Sequence, residues 1–212
     1  MSECVHIDAK DLEEELREID AHKHSRDVEA MRHVKELLRL MGDDPNREGL
    51  VDTPKRVVKS WEELYSGYYE DPRDILSKTF VDGAEKMVDE IVICKDVDFY
   101  SMCEHHILPF LGVVHIGYIP IGKVVGISKL VRLVNCFARR LQIQEKMYNQ
   151  IADAIMTHLT PKGVGVIIEA THMCMTSRGV KSPKSKMVTS AMRGAFREQA
   201  KTRNEFLQLI RN

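Results

Sequence analysis

No segment of this 212-residue chain is apolar for anything near the roughly 18–20 residues that cross a bilayer. The opening MSECVHIDAKDLEEELREID is polar and acidic and lacks the apolar centre of a secretion signal. Membrane insertion and export are not expected, and the protein reads as cytoplasmic. Neither sign of charge prevails: 31 Lys and Arg stand against 32 Asp and Glu, a net of -1. General affinity for nucleic acid or an anionic lipid surface is therefore not expected. There is no internal repeat and no low-complexity tract. No Cys-x-x-Cys pair occurs, which speaks against an ordinary structural zinc module. In a reducing compartment the five cysteines are free thiols or metal ligands rather than disulfides.

What is present is enough for a sizeable core, since 43% of the residues are hydrophobic. Residues 1–24 are charge-rich with weak periodicity and read as a mobile or loosely docked arm. From Ser25, Val28, Met31, Val34, Leu37, Leu38 and Met41 follow helical spacing, and Gly42 can stop the helix. Thr53 is placed to cap a second helix with Pro54 at its first position, and Gly67 to end it. Residues 25–86 thus form an N-terminal helical region, and 87–212 a second domain. In it, 87–100 and 111–119 read as strands, and 124–127 as a short strand pairing with the latter in a hairpin. Leu130, Leu133, Val134, Phe137, Ala138 and Leu141 mark an amphipathic helix over 129–141 with Ser128 at its cap. A helix over 146–159, a strand VGVIIEATHMC, a strand near 187–197 and a helix opened by a Thr202–Glu205 capping box complete the chain. This order lacks regular βαβ alternation, so the fold class is α+β with an antiparallel sheet.

Two clusters carry chemistry, CEHHILPF at 103–110 and THMCM at 171–175. On an extended strand His172 and Cys174 share one face, continuing that of Val164, Val166, Ile168 and Ala170. Upstream, two geometries are open. Extended backbone puts Cys103 and His105 together; a turn instead joins Cys103 and His106, a Cys-x-x-His spacing common at zinc. With Cys174 added, two thiolates and one imidazole leave a fourth position for water, as in a catalytic site. The bland alternative is that such residues are core or surface, which is how Cys4, Cys94 and Cys136 read. Lys129 and Arg132 lie on the polar face of the 129–141 helix with Cys136 and Arg139 or Arg140. Near a helix N-terminus they suit a phosphate, or they form a solvated basic face. Arg56 with Lys59, and Arg178 beyond Cys174, suit the same role. Gln144 and Glu145 sit between two predicted helices, where a carboxylate can accept N–H groups of a purine edge or merely cap a helix.

Taken together, SMCEHHILPF, YIPIGKVVGISKLVRLVNCFARRLQIQEK, EATHMCMTSRGV and TRNEFLQLI resemble the GTP cyclohydrolase I family, as does REGLVDTPKRVVKSWEELYSGY. The resemblance covers about residues 28–212. It implies the tunnelling fold, in which antiparallel sheets of several subunits form a barrel with helices outside, and a homodecamer of two pentamers with sites at subunit interfaces. It implies one Zn2+ per subunit on Cys103, His106 and Cys174, with His105 and His172 as catalytic imidazoles and Ser128 assisting a ribose rearrangement. The implied substrate is GTP, anchored at guanine by Glu145 with Gln144, and at triphosphate by Lys129, Arg132 and Arg178, joined by Arg56 and Lys59 of a neighbouring subunit. The implied products are 7,8-dihydroneopterin triphosphate and formate. Tyr148 and Ser177 depart from the family pattern in size. A sister nitrile reductase of the same fold would need a cysteine nucleophile and a nicotinamide. A non-catalytic zinc scaffold would need a closed four-ligand site.

Overall fold

The computed structural model describes residues 9–80 and 90–211, and its contacts group 1–63 and 64–212 into two units. In the first unit, helix α1 (Ala9–Leu40) is followed by a loop and helix α2 (Thr53–Leu64). The helix runs unbroken through residue 24, where the sequence suggested that an arm ends. The stretch AKDLEEELREID consists largely of strong helix formers, so it needs no apolar stripe to continue the turn. Gly42 stops α1 at φ 97, a left-handed conformation that costs glycine little. Pro54 and Val58 are the buried residues of α2, and Lys23 pairs with Glu62 at 2.7 Å.

The second unit opens with a 3-10 turn (Ser66–Tyr69) and α3 (Pro72–Leu76), capped by Asp71, whose carboxylate accepts from the Arg73 N–H at 2.8 Å. Then follow β1 (Thr79–Phe80), β2 (Val92–Cys103), β3 (Leu108–Ile119), β4 (Val124–Val125), α4 (Ile127–Ala138), β5 (Leu141–Gln142), α5 (Gln144–Leu159), β6 (Gly163–His172), α6 (Met173–Thr176), β7 (Met187–Gly194), α7 (Ala195–Glu198) and α8 (Ala200–Arg211). The main sheet has the order β5-β2-β3-β6-β7. Its long pairs are antiparallel, as expected, and only the two-residue β5 runs parallel, to the end of β2. The predicted strand residues 87–89 lie outside the described residues.

Several local expectations are corrected. The 124–127 segment does not pair with β3. β4 pairs with β1 in a separate two-stranded sheet, and the Val125 N–H donates to the Tyr118 hydroxyl at 3.1 Å. Helix α4 starts at Ile127 with Gly126 as cap, so Ser128 lies inside the first turn and caps nothing. The same helix stops at Ala138, because Leu141 and Gln142 are drawn into the sheet. Gln144 and Glu145 form the first turn of α5 rather than a linker. Thr202 is inside α8, and its hydroxyl donates to Gln199, not to a helix-end N–H. Strand β6 ends at His172, so Cys174 is on a helical turn and shares no strand face with it. The ladder to β3 closes at Phe110↔His172; the next β3 residue, Pro109, has no N–H to extend it.

One sheet face carries Phe99, Phe110, Val114, Ile116, Tyr118, Val164, Val166, Ile168 and Ala170, all buried. Leu130, Leu133, Val134 and Phe137 of α4 and Met147, Ile151 and Ile155 of α5 cover it. Each such side chain contributes about 1.5–3 kcal/mol when fully buried. On the opposite face, Phe196 and Phe206 pack edge to face, with ring centroids 5.4 Å apart. They occupy the space over Gly117 and Gly165, where an added Cβ would lie 2.8 and 2.7 Å from their rings. Cys136 is buried and Cys94 half-buried, in line with a packing role, while Cys4 falls outside the described residues. Burial pushes both thiols up in pKa; at Cys136 Arg140 partly opposes this.

Candidate metal centre and active site

The turn between β2 and β3 builds half of the site. Cys103 and Leu108 are its closing pair. Between them the backbone coils: the His106 and Ile107 N–H groups both donate to the Cys103 carbonyl, at 3.3 and 2.8 Å. Ile107 pays for the reversal with a φ of 51, an uncommon conformation for a β-branched residue. Of the two geometries open in the sequence, this is the turned one. It brings Cys103 Sγ to 3.7 Å from His106 Nδ1. The His105 ring centroid is 6.1 Å from that of His106, with planes at 83°. Both imidazoles are exposed. The Glu104 N–H, donating to the Gln142 carbonyl at 3.0 Å, ties the turn to β5.

Cys174 arrives from α6. Its Sγ, that of Cys103 and a His106 ring nitrogen lie within 4.8 Å of one another, the one such group among the described residues. Tetrahedral zinc with Zn–S near 2.3 Å and Zn–N near 2.0–2.1 Å sets neighbouring donors about 3.6–3.8 Å apart. The Cys103–His106 pair, at 3.7 Å, has that spacing, and the soft S/S/N chemistry of the three donors suits zinc. The Cys174 thiol is pushed up in pKa by burial first and by Cys103 beside it, while Arg178 pulls the other way. A cation between the sulfurs removes that opposition.

His172 is buried at the end of β6. Its ring lies flat on Phe110, centroids 4.6 Å apart and planes 4° apart. Its Nε2 is 2.8 Å from Gln144 Oε1. Burial lowers its pKa from the usual histidine value, with Glu145 acting in the opposite sense. Gln144 has no exposed surface, and its amide nitrogen is spent on Ile168 O, Met187 O and Thr189 Oγ1. Its side chain is thus bonded at both ends of the amide. Glu145, next in α5, is exposed. Neither Phe110 nor the Gln144–His172 pair stood out in the sequence; strand alternation put Phe110 inward, but nothing local names its partner.

The cations expected to meet phosphate are distributed as follows. Ser128, Lys129 and Arg132 occupy the first two turns of α4, with Ser128 and Arg132 exposed. Arg178 is exposed just beyond α6. None of these three cations is held in an ion pair among the described residues. Arg56 and Lys59 lie on α2 in the first unit, where Arg56 pairs with Asp52 at 3.2 Å. Of the two departures in size, Tyr148 packs against the main core, and the Ser177 hydroxyl donates to Met173 O at 2.7 Å, closing α6.

Comparison with known proteins agrees with this constellation. Residues 30–211 match the family model for GTP cyclohydrolase I. A GTP cyclohydrolase 1 of Wolinella succinogenes is 62% identical over 179 residues, covering 84% of this chain and 94% of that one. One from Coxiella burnetii is 54% identical over 179 residues, with 84% and 96% covered. One from Campylobacter curvus is 52% identical over 177 residues, with 84% and 92% covered. The match extends through both chemical clusters and nearly the whole described chain: the protein belongs to the GTP cyclohydrolase I family.

Proposed function

We propose that this enzyme hydrolyses and rearranges GTP to 7,8-dihydroneopterin triphosphate and formate, the first step of folate and pterin biosynthesis. The observation that carries the reading is the Cys103–His106–Cys174 group within 4.8 Å, with a stacked, hydrogen-bonded His172 at the neighbouring strand end. Three ligands suit an open catalytic site better than a closed scaffold. These residues would hold one zinc ion per subunit, which when bound supplies a Lewis acid that brings water into the reactive range near neutrality.

The chain's own groups supply the rest. Glu145 accepts the N1–H and 2-amino hydrogens of guanine, two donors that an adenine edge does not offer. Lys129, Arg132 and Arg178 bind the triphosphate, and Arg56 and Lys59 reach it from a neighbouring subunit of a homodecamer. His105 and His172 move protons at the imidazole ring of the base, including N7 as that ring opens. Ser128 assists the later rearrangement of the ribose. Among the described residues no helix is long and apolar enough to cross a membrane, and reduced thiols suit work in the cytoplasm. Metal content and pterin fluorescence, measured on one zinc-loaded sample given GTP, test the reading. About one zinc per chain with a fluorescent pterin product is expected; a fully loaded sample that forms none would overturn it.

A further inference from the structure

The hydrogen bonds around Gln144 determine where a proton sits on His172. The two carbonyl oxygens facing one end of the Gln144 amide, Ile168 O and Met187 O, both at 3.1 Å, can only accept. That end must be the NH2 group, since the reverse orientation would set oxygen against two oxygens. The Thr189 hydroxyl at 3.0 Å accommodates either arrangement. The amide oxygen is therefore the atom 2.8 Å from His172 Nε2. That oxygen has no hydrogen to give, so Nε2 must carry one. In the neutral ring this leaves the lone pair on Nδ1. The Phe110 ring, parallel to the imidazole within 4°, resists tilting out of the plane of that hydrogen bond.

We propose that Gln144 is a positioning residue: its amide oxygen accepts from the His172 Nε2–H, so that the ring is held in one orientation with its lone pair on Nδ1. This rests on the GTP cyclohydrolase reading of the site. The base-recognition role expected of Gln144 is thereby replaced by one that acts only through His172. The guanine edge is left to Glu145.

Solid-state 15N spectra of sedimented, zinc-loaded enzyme with labelled histidine test this, with His172 assigned by difference against His172→Asn. A His172 signal pair with Nε2 protonated and Nδ1 bare is expected; the opposite tautomer would overturn the proposal without any need for a Gln144 variant. Kinetics supply the second arm. For Gln144→Met, kcat should fall by about 10- to 100-fold, part of the ~10²–10⁴ that an acid–base group supplies, with KM for GTP within about twofold and zinc content unchanged. A raised KM at unchanged kcat would make Gln144 a substrate contact and sink the idea. If the wild type forms no pterin, the functional reading falls, while the spectra still decide the hydrogen bond.

Discussion

Phe110 and His172 face each other across the last register pair of β3 and β6, and their rings stack 4.6 Å apart. The strand pairing brings the two side chains together, and the stack fixes the imidazole plane. Phe110→Leu keeps an apolar side chain of similar reach but removes the flat surface. It should cost about 1–1.5 kcal/mol of stability and lower kcat more than it raises KM. Thermal unfolding beside steady-state kinetics checks this; unchanged kcat would reduce Phe110 to core filler.

The adjacent imidazoles of the turn should separate by function. His106 Nδ1 is 3.7 Å from Cys103 Sγ, whereas His105 is not among the three donors that come together, and its ring plane stands at 83° to that of His106. His105→Ala should keep its zinc and lose about 10²–10⁴ in kcat. His106→Ala should lose metal and turnover together. Elemental analysis after gel filtration, set beside rates, reads both; the reverse pattern would exchange the two roles.

Glu145 stands exposed in the first turn of α5, where a carboxylate also favours the helix terminus by about 0.3–1 kcal/mol. As the guanine acceptor it is worth more: about 1.5–3 kcal/mol of binding per charge-assisted bond. Glu145→Gln should weaken GTP binding by about tenfold or more, while the thermal midpoint hardly moves. Calorimetry on zinc-loaded protein decides, and equal affinity in both proteins would leave Glu145 as a helix-end charge.

Much of the site was legible because its signals are local. Cys103 and His106 are three residues apart, and a single turn decides whether they meet. Cys174 was singled out for a geometry it does not have: parity along a strand joined it to His172, yet β6 runs out of partner at Pro109 and Cys174 turns into α6, beside Cys103 and His106. The start of α4 was misplaced because Ser128 is a good capping residue by type, while the actual cap is Gly126, whose extended backbone at φ -61, ψ 135 leads into the helix. The partners of His172 were not legible at all. Gln144 lies 28 residues away and Phe110 on another strand, so only the folded sheet and α5 bring them together.

Close packing of the sheet also yields a sharp expectation at Gly112. A Cβ there would stand 1.9 Å from the Glu169 carbonyl oxygen and 2.7 Å from Ala170 Cα, both backbone atoms that cannot swing aside. Gly112→Ala should therefore push β3 and β6 apart and cost about 1–3 kcal/mol or more. Scanning calorimetry would show a midpoint lowered by about 2–4 °C per kcal/mol in a chain of this size. A midpoint equal to wild type would mean that the ladder yields more easily than its contacts imply.

The unbroken ten-residue pairing of β6 with β3, from Gly163↔Ile119 to His172↔Phe110, makes the core a ruler for the chemistry. Val164, Val166, Ile168, Ala170 and His172 alternate onto one face, and the first four lock into the apolar layer beneath the helices. A slip of one residue would turn Gly165, Ile167, Glu169 and Thr171 inward and drive a carboxylate into that layer. The imidazole is thus indexed from a distance, by side chains buried in the apolar layer. Their oily pattern works as an address, and a mutation that blurs it would misdeliver the histidine before it unfolds the protein.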